Sequence, residues 1–216
     1  FGRAGIPMFR YARTADELVE EIAYCGIGRA LIYHASMRYD SPLVGNARVL
    51  EETSEHPELV PTWAILPSQT GEMPEAAALL SAMKENEVCA LWAFPNEHRY
   101  ALDALTFGDL MELLQERRIP IFVKQDLIHI GQLLACFPRL VLVTVNQGPH
   151  SLERYLRPLL DAYPYLYVDT SYYIVEGLIE DFCQRYGSGR LLFGTAFPDN
   201  CSGGALLRLA HADIPL

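Results

Sequence analysis

Apolar and polar positions fall into two patterns that alternate along the chain. Seven short runs are almost continuously apolar, β-branched or aromatic: 29-RALIYH-34, 59-LVPTWAI-65, 88-VCALWAF-94, 119-IPIFVK-124, 140-LVLVTV-145, 165-YLYVD-169 and 190-RLLFGT-195. A strand with one wet face alternates apolar and polar residues, so unbroken runs of this length mark parallel strands covered on both faces. The segments between them carry helical spacing. The clearest is 14-TADELVEEIAYCG-26, where Thr14 is the predicted N-cap, Glu17 completes a capping box and Gly26 is the stop. Further helices are predicted over 44–56, 74–86, 105–117, 151–163 and 175–187, with a shorter one over 130–136 and a last one from Gly204.

Strand starts recur at roughly 20 to 30 residues, the length of one βα unit. Regular alternation of this kind predicts an α/β fold with a parallel sheet. Seven strands with eight helical segments, a helix coming first, match a (β/α)8 TIM-type barrel whose first strand lies upstream of Phe1. No linker or low-complexity stretch interrupts the series, so residues 1–216 read as a single barrel domain. A doubly wound open sheet is the alternative, but no GxGxxG or P-loop follows any strand. A seven-strand barrel beginning at Phe1 would have open edges, which predicts missing upstream residues or a homo-oligomer that covers them.

Composition narrows the function. With 17 Lys and Arg against 27 Asp and Glu the net charge is -10, which argues against a nucleic-acid partner. The most apolar stretch, 133-LLACFPRLVLVTV-145, is too short to span a bilayer and contains Pro138 and Arg139, so no membrane partner is expected. Five widely spread cysteines form no CxxC pair and read as reduced core thiols. The opening FGRAGIP is not a signal peptide. These readings predict a cytoplasmic protein whose partner is a small molecule.

In a barrel the chemistry gathers at the C-terminal ends of the strands. Those positions are His34; Phe94 with Asn96, His98 and Arg99; Lys124, Gln125 and Asp126; Asn146 and Gln147; Asp169, Ser171 and Tyr172; and Thr195, Ala196 and Asp199. Each has a structural reading beside the functional one. His34 ends an apolar strand and suits a core histidine or a functional one. His98 and Arg99 suit a solvated loop or a pocket wall. Lys124 and Asp126 could pair with each other or face a ligand, and Asp169 could cap the following turn.

Three segments carry a resemblance. The stretches 137-FPRLVLVTVNQG-148, 164-PYLYVDTS-171 and 190-RLLFGTAFP-198 resemble the sixth, seventh and eighth strands of the amidohydrolase superfamily, in its branch of metal-dependent hydrolases and decarboxylases acting on small carboxylate or lactone substrates. That family places a His-x-His pair on the first strand, a histidine at the ends of the fifth and sixth, and an aspartate in a Gly-Thr/Ser-Asp-x-Pro turn after the eighth. Together these hold a divalent metal that activates water. Here the sixth-strand position is Asn146, the eighth-strand position is Ala196, the fifth-strand position falls within residues 124–126 without a histidine, and the pair would precede Phe1.

The resemblance therefore implies an amidohydrolase-like protein for a small polar or carboxylate substrate with a degenerate metal site; no cofactor is expected, a divalent metal being possible but disfavoured by Asn146 and Ala196. Position assigns Lys124 as electrophile or carboxylate anchor and Asp126 or Asp169 as general base. His34, His98, Arg99, Asn146 and Tyr172 are the expected substrate contacts. The alternative is a non-catalytic small-molecule-binding or scaffolding member of the same fold. A relocated metal set using His34, His98 or Asp199 would need its ligand atoms about 2 Å from one ion.

Overall fold

The computed structural model describes residues 1–3, 10–124, 127–145 and 152–214. All seven predicted strands form. They are β1 (Ala30–Ile32), one run broken into β2 (Leu59–Pro61) and β3 (Trp63–Ala64), then β4 (Leu91–Ala93), β5 (Ile121–Val123), β6 (Leu142–Thr144), β7 (Leu166–Asp169) and β8 (Leu191–Leu192). Every pair is parallel, β1 with β2 and then β3 through β8 in chain order. The break falls where Pro61 has no N–H to give to a ladder. Thr62 bridges it, its N–H and hydroxyl both donating to the Ile32 carbonyl, at 3.0 and 2.6 Å. Among the described residues β1 and β8 do not pair, so the curved sheet stays open along that seam.

The predicted helices appear as α1 (Ala15–Tyr24), α3 (Pro42–Thr53), α4 (Ala76–Glu85), α6 (Ala104–Arg117), α7 (Leu127–Cys136), α8 (Glu153–Ala162), α9 (Leu178–Tyr186) and α10 (Ser202–Ala210). Thr14 caps α1 by accepting the Glu17 N–H at 3.3 Å, and Gly26 follows its end at φ +69°. Two short helices, α2 (Ser36–Tyr39) and α5 (Pro95–His98), were not legible as helices. Each follows a strand within a few residues, α2 after β1 and α5 after β4, and is too short to show a periodicity.

The two faces of the sheet have different jobs. Outward residues of the central strands, Leu91, Ala93, Ile121, Val123, Leu142, Leu166 and Val168, are fully buried in the large core beneath the helices. Inward residues form a second, smaller cluster of Ala90, Phe122, Val143 and Val145, with Trp92, Tyr167 and Leu192 packed against it. Coverage on both faces is what the unbroken apolar runs demanded. The expectation of core cysteines is corrected: all five are free thiols, but Cys89, Cys136 and Cys201 are exposed and Cys25 and Cys183 only part-buried. Cys25, Cys136, Cys183 and Cys201 lie within or next to helix ends, where small residues meet solvent. Among the described residues no helix is long and apolar enough to cross a membrane.

Candidate functional site

Strand register stacks the inward side chains in two layers. Trp92, Phe122, Val143 and Tyr167 are mutual register partners and make the lower layer. One step beyond Val123, Thr144 and Val168, which are also partners, stand Lys124, Val145 and Asp169 in the upper layer, at the mouth. Lys124 and Asp169 are thus level and two strand spacings apart, about 10 Å. The floor on the Lys124 side is aromatic. Trp92 stacks on Phe122 at 4.8 Å and on Phe94 at 5.6 Å, and Tyr33 tilts against Trp92 at 4.8 Å. Such contacts contribute about 0.5–1.5 kcal/mol each beyond burial and hold the rings at fixed angles.

Above the floor sits a charged cluster. Arg38 on α2 donates from Nε to Glu97 Oε1 of α5 at 2.8 Å and from Nη1 to Asp199 Oδ2, beyond β8, at 3.2 Å. Its guanidinium also lies over the Tyr39 ring at 4.9 Å. Lys124 lies close enough to feel the charges of Arg38, Glu97 and Asp199. Burial, then Arg38, lowers its affinity for a proton, while the two carboxylates oppose that change. Burial raises the Tyr33 hydroxyl to about 12, with Arg38 pulling the other way. Tyr172 is raised by burial and by Asp199. His98 joins from the side, its Nε2 2.7 Å from the Met37 carbonyl oxygen.

Of the residues singled out from sequence, Lys124, His98 and Tyr172 gather around this cluster. His34 is not part of it: it is 2 % exposed and packs edge-on against Phe1. Its Nδ1 accepts the Ser36 N–H at 3.1 Å, so the neutral ring carries its proton on Nε2, which faces Glu52 at 3.5 Å. Burial, the Phe1 amino group and Arg48 push its pKa down to about 4 and keep it neutral. Arg99 is exposed, with its backbone at φ +56° as the cap of α5. Asp126 and Asn146 lie outside the described residues. Arg38 and Glu97 were missed, although 36-SMRY-39 and 95-PNEHRY-100 each open within two residues of the end of a predicted strand run, which was the available signal.

Asp169 stands on the opposite wall. Its Oδ1 accepts the Ser171 N–H at 3.0 Å and the Ser171 hydroxyl, and the carboxylate occupies the space in front of Gly194. A Cβ at Gly194 would fall 1.5 Å from Asp169 Oδ2. Gly194→Ala is therefore expected to swing the carboxylate off Ser171 and cost about 2 kcal/mol, read from the urea unfolding midpoint. An unchanged midpoint would mean that Asp169 relaxes freely. Ala196 follows at φ +48°, a left-handed conformation more often taken by Asn, Asp or Gly, and its methyl group offers no ligand atom.

Strands with their reactive groups at the C-terminal mouth define a TIM-barrel type of protein. A sequence model of the amidohydrolase family, described as "Amidohydrolase", matches residues 3–216, and the chain belongs to that family. No curated protein matches. Among solved structures, an uncharacterised TIM-barrel protein from Bordetella bronchiseptica is 19% identical, with a TM-score of 0.72 over 94% of this chain and 77% of its own. A 2,6-dihydroxybenzoate decarboxylase from Rhizobium is 13% identical, with a TM-score of 0.72 over 93% and 83%. A 5-carboxyvanillate decarboxylase from Novosphingobium aromaticivorans, complexed with manganese and 4-hydroxy-3-methoxy-5-nitrobenzoic acid, is 12% identical, with a TM-score of 0.70 over 92% and 74%.

The manganese complex overturns the expectation of a protein without a cofactor, because this fold carries a divalent cation at such low identity. The described residues do not fit a cation: Ala196 has no donor, and among them no three His, Cys, Asp or Glu side chains come together.

Proposed function

We propose that the mouth of this amidohydrolase-family protein binds a small aromatic carboxylate, with Lys124 as the carboxylate anchor and the aromatic floor as the platform for the ring. The observation that carries this reading is the state of Lys124. Its ammonium has no hydrogen-bond or ion-pair partner among the described residues, although it is half-buried beside one cation and two carboxylates. A cation kept partly out of water without a counter-ion is costly unless a ligand supplies one. Arg38 is the weaker candidate for that anchor, because its charge already faces two carboxylates, Glu97 through Nε and Asp199 through Nη1.

A benzoate carboxylate at Lys124 would set the ring near Trp92 and Phe122, inside the mouth that Asp169 lines from the strand two places away, where a ring hydroxyl could donate to the Asp169 carboxylate. Decarboxylation is the reaction we favour, since two proteins of this fold are named for removing a carboxyl group from an aromatic acid. In that reaction the ring–carboxylate bond breaks, carbon dioxide leaves and the ring carbon takes up one proton. Lys124 holds the carboxylate until it leaves, Asp169 orients the ring through its hydroxyl, and the floor excludes water. A divalent cation, when bound in this fold, supplies positive charge to the developing anion. The described residues do not form its shell, and no step here is routed through it.

Titration calorimetry with 2,6-dihydroxybenzoate tests the reading. Lys124→Met is expected to weaken binding roughly tenfold or more, about 1.4 kcal/mol, while Lys124→Arg retains most of it. Equal affinities for the natural protein and Lys124→Met would sink the assignment. Tight binding without release of carbon dioxide would favour the carboxylate-binding, non-catalytic reading, which Ala196 supports by offering no proton acceptor.

A further inference from the structure

We infer that Arg38 is a positioning residue that keeps Lys124 free for its ligand, by engaging the two carboxylates, Glu97 and Asp199, that would otherwise neutralise it. This inference rests on the reading of Lys124 as the carboxylate anchor. The three charged partners come from separate parts of the chain: Arg38 follows β1, Glu97 follows β4 and Asp199 follows β8. No strand pairing joins the β1 and β8 sides among the described residues. One guanidinium spans the seam, with Nε on Glu97 at 2.8 Å and Nη1 on Asp199 at 3.2 Å.

Apart from Asp169, which Ser171 holds on the opposite wall, four charges share this side of the mouth, two of each sign, and they could pair in more than one way. In the observed arrangement both carboxylates lie on Arg38, whose side chain is 11 % exposed and whose planar fork can serve two acceptors at once. Tyr39 supports the guanidinium from its face. The ammonium of Lys124 is the charge left over, at the end of the strand that supplies Phe122 to the floor. Without Arg38, Glu97 and Asp199 would be two carboxylates in a half-buried site with a single cation nearby, and that cation is Lys124. An ion pair there would occupy the ammonium and repel an incoming carboxylate. Tyr33, Tyr39 and Tyr172, the tyrosines coupled to Arg38, remain neutral because burial raises all three.

The test separates this role from simple support of the loops. Arg38→Met is expected to weaken 2,6-dihydroxybenzoate binding roughly tenfold, and the triple variant Arg38→Met, Glu97→Gln, Asp199→Asn to restore it to within about twofold, because no carboxylate is left to capture Lys124. A triple variant as weak as Arg38→Met would overturn the inference, since a structural tie is not repaired by removing its partners. The double variant Glu97→Gln, Asp199→Asn, with Arg38 in place, is expected to bind at least as tightly as the natural protein; a loss there would also overturn it, and it decides the matter if Arg38→Met does not fold. A crystal structure of Arg38→Met without ligand provides a readout independent of binding: Lys124 Nζ is expected within ion-pair distance of Glu97 or Asp199. An unpaired Lys124 in that structure would overturn the role of Arg38 even if the anchor reading stands. Unchanged binding in Lys124→Met would defeat the anchor reading and leave the crystal structure to decide the pairing.

Discussion

Gly45→Ala is expected to destabilise the protein by about 3 kcal/mol, the upper range for forcing atoms into a packed core. A Cβ at Gly45 would stand 2.4 Å from the Met37 backbone nitrogen, 2.5 Å from Met37 Cγ and 2.8 Å from Met37 Cα. Two of those three atoms are backbone, so a side-chain rotation cannot relieve the overlap. Met37 is fully buried, and its N–H is committed to the His34 carbonyl at 2.9 Å. The only relief is to push α2 away from α3, which carries Arg38 with it and lengthens its contacts to Glu97 and Asp199. Urea unfolding and 2,6-dihydroxybenzoate binding should therefore both suffer. A loss below about 1 kcal/mol with unchanged binding would show that α2 slides without cost, and that its place is not set by the glycine.

Asn46→Ala, one residue further along α3, is expected to cost about as much for a different reason. The Asn46 side chain completes a strand that β1 is too short to pair. Its Nδ2 donates to the Ala64 carbonyl at 2.9 Å, and its Oδ1 accepts the Ala64 N–H at 2.8 Å. Ala64 is fully buried, so alanine at position 46 leaves one donor and one acceptor of the main chain without partners and without access to bulk water. Each such group costs about 1–3 kcal/mol, for a sum near 3 kcal/mol. Asn46→Asp is the diagnostic companion: it keeps the acceptor, loses the donor and sets a carboxylate against the Ala64 carbonyl, so it should be no better than alanine. Chemical denaturation of the two variants checks this. A nearly neutral Asn46→Asp would mean that the donor half of the bridge contributes nothing.

Both residues illustrate how far the sequence could be read. The segment 44-VGNARVLEETSEH-56 was recognised as helical from its spacing, yet the spacing does not show that Gly45 is the point where α2 packs or that Asn46 stands in for a strand. The same holds at the mouth. Lys124 was found because an apolar run ending in a cation is unusual. Arg38 was overlooked because a cation six residues past β1 resembles any solvated loop until Glu97 and Asp199, 59 and 161 residues away, are seen to meet it.

The chain carries its strand and helix order in local terms. Unbroken apolar runs can only be satisfied by strands covered on both faces, capping residues terminate helices where they stand, and the repeat length leaves parallel βα units as the economical solution. Those are near-neighbour constraints, and they survive in the observed elements almost unchanged. The pairing of charges at the mouth, the level placement of Lys124 and Asp169, and the clearance that Gly45 and Gly194 provide depend instead on strand register and on contacts between residues far apart in the chain. Coulomb interactions and steric exclusion act through space, so their outcome is set when the sheet curls and brings β1, β4, β5 and β8 to one rim.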